Sequence, residues 1–170
     1  MKIDIGAGTT KQDGWIGIDK IAFPGIDHVM DAGKDRWPFD DNSVDEARAN
    51  HFVEHLTAPE RIHFVNELWR CLKVGAKCQI VTPHWASTRA YGDLTHQWPP
   101  VSEFWFYYLN REWRKANAPH NTDYTCNFEA AWGYGVHPQL TVRNAEYQSF
   151  ALSFYKEAAQ DLMATVTKAA

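Results

Sequence analysis

Three acidic residues stand at the ends of short apolar runs, spaced as a nucleoside would need them. Asp4-Ile5-Gly6-Ala7-Gly8 closes the first run, Asp19 closes the second fifteen residues after Asp4, and Asp31 closes the third. Glycines directly after a strand let a ligand lie against bare backbone, where a side chain would collide with it. An acid at the end of the next strand can accept hydrogen bonds from a ribose diol. A third acid beside it can accept from an adenine amino group. A Gly-x-Gly alone is equally well a turn; the three strand ends together, lying side by side, offer a glycine floor and two acids to one nucleoside.

The elements that must position these groups follow from the runs themselves. Residues 3–5, 15–18, 26–30, 44–49 and 78–81 are short apolar stretches punctuated by Gly, Asp and Pro, the pattern of buried parallel strands. Between the fourth and fifth lies the clearest helix. Thr57 and Glu60 form a capping-box pair. Ile62, Val65, Leu68, Trp69 and Leu72 follow on one face, and Gly75 stands where a terminating glycine is expected. The second half is less regular. Residues 82–100 read as a long loop, 102–116 as a strongly aromatic helix, and 124–132 as a sixth strand. Asn144 caps a further helix with Tyr147, Phe150, Ala151, Phe154 and Tyr155 inward, and 162–166 reads as a closing strand. The first crossovers are short: nine residues, 6–14, then six, 20–25. A parallel connection normally takes a dozen or more residues and a helix. The first helices are therefore expected to be shortened or missing.

Further words in the sequence extend the first motif. Gly14-Trp-Ile-Gly-Ile-Asp19, Trp37-Pro-Phe-Asp-Asp-Asn-Ser-Val-Asp45, His51-Phe-Val-Glu-His-Leu56, Glu67-Leu-Trp-Arg-Cys-Leu-Lys-Val-Gly75 and Ile80-Val-Thr-Pro83 occur in this order. As a set they resemble the small class I methyltransferases that use S-adenosyl-L-methionine, of the type 11-like kind. The resemblance covers residues 2–83 well, and Asp93-Leu-Thr-His96 and residues 144–168 more loosely. It implies an α/β chain with a three-layer, Rossmann-like methyltransferase fold forming a single domain over 1–170. The sheet would be mostly parallel with an antiparallel last strand.

The resemblance also assigns roles. Asp4 and the Gly6-Ala7-Gly8 turn would contact the methionine portion and ribose of the cofactor, and Asp19 the ribose hydroxyls. Asp31 with the Ala32 backbone would read adenine, and Asn50 and His51 would face the methyl donor. Two departures stand out: Thr10 replaces the third glycine, and Val74-Gly75 replaces the usual Pro-Gly. A sulfonium is an activated donor, so alignment of the nucleophile is the main requirement. A base is needed only where the acceptor loses a proton. The candidates are His51, His55, His84, Asp93 and His96, with Asp93 and His96 paired on a loop over the cofactor. Asn50-His51-Phe52-Val53 stands where an Asn/Asp-Pro-Pro-aromatic tetrapeptide would mark adenine-amino or glutamine-amide methylation.

Three other readings compete. His51-x-x-Glu54-His55 matches an inverted zinc-protease pattern, with the histidines as ligands and Glu54 as base. A strand ends just before it and a helix restarts just after. The methyltransferase resemblance accounts for the same residues without metal, so none is expected. A cofactor-binding module without catalysis, or a subunit of a larger assembly, suits the short chain. A dehydrogenase would need a pyrophosphate-binding helix N-terminus that the first crossover is too short to supply.

Composition narrows the partners. A net charge of −4 with pI near 6.0 argues against nucleic acid and for a small-molecule acceptor. Three widely spaced cysteines and no apolar run near the ~18 residues of a membrane helix predict a cytoplasmic protein that makes no use of a membrane. Eight Trp, seven Tyr and nine Phe make the chain strongly aromatic, and Phe104, Trp105, Phe106, Tyr107, Tyr108 and Trp113 together exceed what one helix face can bury. Rings left over would line an acceptor pocket or a contact between subunits of a homo-oligomer.

Overall fold

In the computed structural model, which describes residues 1–170, seven strands form one sheet. They are β1 (Lys2–Ile5), β2 (Ile16–Asp19), β3 (His28–Val29), β4 (Val44–Asn50), β5 (Leu72–Pro83), β6 (Phe128–Val136) and β7 (Ala159–Lys168). The order is β3-β2-β1-β4-β5-β7-β6. Strands β1 to β5 run parallel, and β7 lies antiparallel between β5 and β6. The chain reverses its direction of growth between β1 and β4, which opens a crevice at their carboxyl ends. The expected mostly parallel sheet with an antiparallel last strand is present.

Helix α1 (Ala58–Cys71) is the long crossover, linking β4 to β5. Its Phe64, Val65, Leu68 and Cys71 join Ile3, Ile5, Ile18, Ala47, Ala49, Cys78, Ile80 and Leu162 in one buried cluster. The inward face is therefore turned from the one that spacing predicts: Ile62 and Trp69 are only half-buried, and Phe64 is fully enclosed. The residues that alternate with the buried ones, among them Lys2, Lys77, Gln79, Glu129 and Met163, are exposed on the opposite face of the sheet. That face carries little covering because no helix forms between β1 and β4. The first two missing crossover helices are those the short connections predict; the third, between β3 and β4, is missing although its connection is long.

The long β3–β4 connection replaces its helix with two buried rings, Trp37 and Phe39. Trp37 N–H donates to Glu67 Oε2 at 2.8 Å, and Arg70 donates to the carbonyls of Trp37 and Phe39 at 3.1 and 2.7 Å. Glu67 and Arg70, neighbours on α1 and paired at 2.7 Å, thus clamp the loop to the helix.

Elsewhere the elements differ from expectation. Gly75, at φ +80°, lies inside β5 and does not end α1, because Leu72 already turns extended. The aromatic helix splits after a short α2 (Arg89–Gly92) into α3 (Glu103–Tyr107) and α4 (Arg111–Asn117). Asn110 makes the break, its side chain accepting from Trp113 N–H at 2.9 Å and starting a new helix. Strand β6 lies four residues later than the sequence suggests. Helix α5 (Ala145–Phe154) is capped by Asn144 as expected, yet Tyr147, Phe150, Phe154 and Tyr155 are exposed and only Ala151 is buried. No helix is long and apolar enough to cross a membrane.

Candidate active site

A cavity of about 640 Å³ opens where β1, β2, β3 and β4 end, and Gly6, Asp19, Asp31, Ala32 and His51 all line it. With His55, six of the candidate site residues singled out from sequence are thus brought to one cavity. The floor is open because of Gly6. A Cβ built there would lie 2.5 Å from Phe52 Cδ2, and its φ of +66° lies in the left-handed region that favours glycine. Phe52 itself lines the cavity.

Asp19 is held by the backbone on both sides. Its Oδ2 accepts from Gly8 N–H and its Oδ1 from Ile21 N–H, each at 2.9 Å. A carboxylate has about four lone-pair positions, so two stay free to receive a diol. Asp31 Oδ1 accepts from Gly33 N–H at 3.0 Å, while Lys34 Nζ bridges Asp31 and Glu60 at 3.2 and 3.1 Å. The Ala32 side chain is buried beside it.

Other residues singled out from sequence lie elsewhere. Asp4 is buried under the β1–β2 loop, where its Oδ2 accepts from Arg48 Nη2 at 2.7 Å and Gln12 N–H at 2.9 Å. Ala7 N–H donates to Ile18 O, and Gly8 N–H is used by Asp19, so this turn fastens the loop to β2. Asn50 is exposed at the end of β4. None of these four lines the cavity.

The histidines gather past β4. His51 adopts φ +51°, a left-handed conformation that turns the chain out of the strand. Its Nδ1 meets Glu54 Oε1 at 3.2 Å, and that hydrogen bond raises the imidazole pKa against the opposing effect of burial. Residues Val53–His55 form a single 3-10 turn, not a helix, so His51 and His55 are not stacked as zinc-protease ligands require. The loop carrying Asp93 and His96 does fold over this turn. Gln97 N–H donates to Glu54 O at 2.8 Å, and the His55 and His96 rings are 4.8 Å apart. Asp93 Oδ2 and His96 Nε2 on this loop are 3.9 Å apart, beyond hydrogen-bond distance. Asp93 Oδ1 instead accepts from Thr95 Oγ1 at 2.7 Å and Thr95 N–H at 2.8 Å. His84 is a buried tie: Ala86 N–H donates to its Nδ1, and its Nε2 meets Glu103 Oε1 at 2.9 Å.

Sequence reading passes over the residue that sets this loop. Arg61, buried on α1, donates to Val53 O at 3.0 Å, Pro99 O at 2.6 Å and Gln97 O at 3.2 Å. Its guanidinium joins the histidine turn to the loop above it. The signal was available, because position 61 falls on the same helical stripe as Val65, Leu68 and Leu72. The aromatic residues of 102–116 do not line this cavity; Phe104, Tyr107, Tyr108 and Trp113 pack on one another.

No protein-family model matches this sequence, and no curated protein matches it. Solved structures do. An S-adenosylmethionine-dependent methyltransferase from Archaeoglobus fulgidus superposes with a TM-score of 0.69 at 18% identity, over 98% of this chain and 85% of that one. One from Methanosarcina mazei gives 0.60 at 17%, over 99% and 92%. Geranyl diphosphate C-methyltransferase from Streptomyces coelicolor, solved with Mg2+, geranyl diphosphate and S-adenosylhomocysteine, gives 0.57 at 15%, over 98% and 70%. The chain has the class I methyltransferase fold.

Proposed function

We propose that this protein is a methyltransferase that takes its methyl group from S-adenosylmethionine and gives it to a small-molecule acceptor. One observation carries the reading: a glycine floor and two strand-end carboxylates, Gly6, Asp19 and Asp31, share one cavity in a class I methyltransferase fold. The residues present fit the cofactor. A side chain at position 6 would be driven into Phe52, leaving the floor as bare backbone. The two free acceptor positions on Asp19 suit the ribose diol, and Asp31 beside buried Ala32 suits adenine. Asp4, Ala7 and Gly8 act one layer back, by fixing the loop that carries Asp19's partner. Asn50 ends β4 and sets where His51 emerges.

When bound, the cofactor supplies an electrophilic methyl on a cationic sulfur. What the chain adds is placement. Phe52 lines the cavity, and the face of an aromatic ring attracts a cation. His51 Nδ1–H is committed to Glu54, which leaves Nε2 to accept a proton from an acceptor that must lose one. Asp93 and His96 shape the loop above.

Calorimetric titration with S-adenosylmethionine and S-adenosylhomocysteine tests the reading. Wild-type protein should bind both, and Asp19→Ala should bind roughly 10–100-fold more weakly, as loss of hydrogen bonds to a charged group predicts. Absence of binding by wild type overturns the function; unchanged binding by Asp19→Ala overturns the ribose assignment.

A further inference from the structure

We propose that Glu54, His55 and His96 form a binding site for one divalent transition-metal ion at the mouth of the cavity. One nitrogen from each imidazole and one carboxylate oxygen lie within 4.8 Å of one another. Proximity alone would not suffice; the hydrogen bonds around the three groups decide what they present. His96 Nδ1 meets Ala90 O at 3.2 Å, and a carbonyl only accepts, so Nδ1 carries the proton and Nε2 the lone pair. Thr95 Oγ1 gives its hydrogen to Asp93 Oδ1 at 2.7 Å. Its 3.0 Å contact with His55 Nδ1 is therefore donated by the ring, which again leaves Nε2 as the acceptor. Glu54 is 4% exposed; His51 engages Oε1, and Oε2 is buried with no partner.

The Nε2 atoms of both rings and Oε2 of Glu54 thus keep lone pairs that no hydrogen bond of the fold uses. A cation satisfies all three at once. The surroundings have the arrangement of metal-binding histidines, each ring fixed through its other nitrogen by a carbonyl or a hydroxyl–carboxylate relay. Arg61 and the Gln97–Glu54 backbone bond hold the loop ligand against the turn ligands. A tetrahedral ion with bonds of about 2.0–2.2 Å holds its ligands roughly 3.5 Å apart, so the three groups close by about 1 Å when the ion binds.

Two imidazoles and one carboxylate select zinc, iron(II), cobalt or nickel over magnesium and calcium, which prefer an all-oxygen shell. Three protein ligands leave at least one position open. His55 and the neighbouring Thr95 line the cavity, which sets the ion beside it. An acceptor bearing an anionic oxygen or sulfur would coordinate there. This use of the ion rests on the methyltransferase reading; the ion's binding does not.

The test uses full-length protein dialysed against chelator, without cofactor. Zinc is titrated calorimetrically and cobalt(II) by its visible absorption. Wild type should take up one equivalent, show cobalt bands of low-coordinate geometry, and melt at a higher temperature with zinc. His96→Gln and Glu54→Gln should lose the bands and the shift in melting. Thr95→Val, which frees the His55 tautomer and removes no ligand, should weaken binding about 10–100-fold. It decides the matter if either ligand variant does not fold. No uptake by wild type, or equal uptake by all variants, overturns the site. A negative cofactor titration leaves these outcomes unchanged.

Discussion

The Phe52 ring occupies the space that a side chain on Gly6 would need, with Cδ2 2.5 Å from where that Cβ would stand. Strand β1 and the turn after β4 are fitted together at this point, directly under the cavity. Gly6→Ala combines overpacking with a left-handed backbone, and should cost roughly 2–4 kcal/mol. Thermal melting should fall by several degrees, and cofactor affinity should fall with it as Phe52 is displaced. A variant that melts like wild type would show that Phe52 moves aside freely.

Asp4 and Arg48 make a second junction between β1 and β4, with side chains 3% and 18% exposed and 2.7 Å apart. Removing one charge strands the other away from water. Arg48→Met should destabilise the fold by about 3–5 kcal/mol, and Asp4→Asn/Arg48→Met by less than the sum of the single changes. Denaturant unfolding of the four proteins measures the coupling. Strict additivity would mean that water reaches Asp4 once Arg48 is gone.

Arg61→Lys keeps the charge but replaces a three-way fork with a single point of contact. The loop over the histidines should loosen, at a cost of about 1–3 kcal/mol. Hydrogen exchange at the Gln97 amide should quicken, while exchange in β5 stays as in wild type. Unchanged protection at Gln97 would assign the anchoring to its bond with Glu54 O alone.

Glu103 should make part of the stability depend on acid. Burial pushes its pKa up, but hydrogen bonds from His84, its own backbone and Tyr134 outweigh this and hold it at about 2. A carboxyl lowered in the folded state contributes stability that is complete above its unfolded value near 4.5. That stability is lost as pH falls from there towards 2. Wild type should exceed Glu103→Gln in stability at pH 6, with the gap closing by pH 2 in parallel denaturant titrations. A gap that persists at pH 2 would place the effect in packing.

What was legible in the sequence is what local chemistry dictates. That Gly6, Asp19 and Asp31 share one cavity was readable because each directly follows or ends a short apolar run, and parallel strand ends lie side by side. The first two missing crossover helices followed from counting residues; the third did not, because its connection is long enough for a helix. Helix α5 shows the opposite case: its stripe of Tyr147, Phe150 and Phe154 has helical spacing, but periodicity says nothing of what the stripe meets, and here it meets solvent. Position 110 was misread because helix propensity on either side hides an Asn whose side chain prefers to cap. The histidine turn depends on contacts between residues 54 and 97 and between 61 and 99, which no local window contains.

The thinly covered side of the sheet makes the molecule easy to instrument. Cys71, Cys78 and Cys126 are buried, and burial pushes their thiols well above the ordinary range, so maleimide dyes will pass them by. A new thiol at Gln79 would project from β5 into solvent, next to the strand whose end carries His51. A fluorophore tethered there reports on the crevice from behind, without entering it.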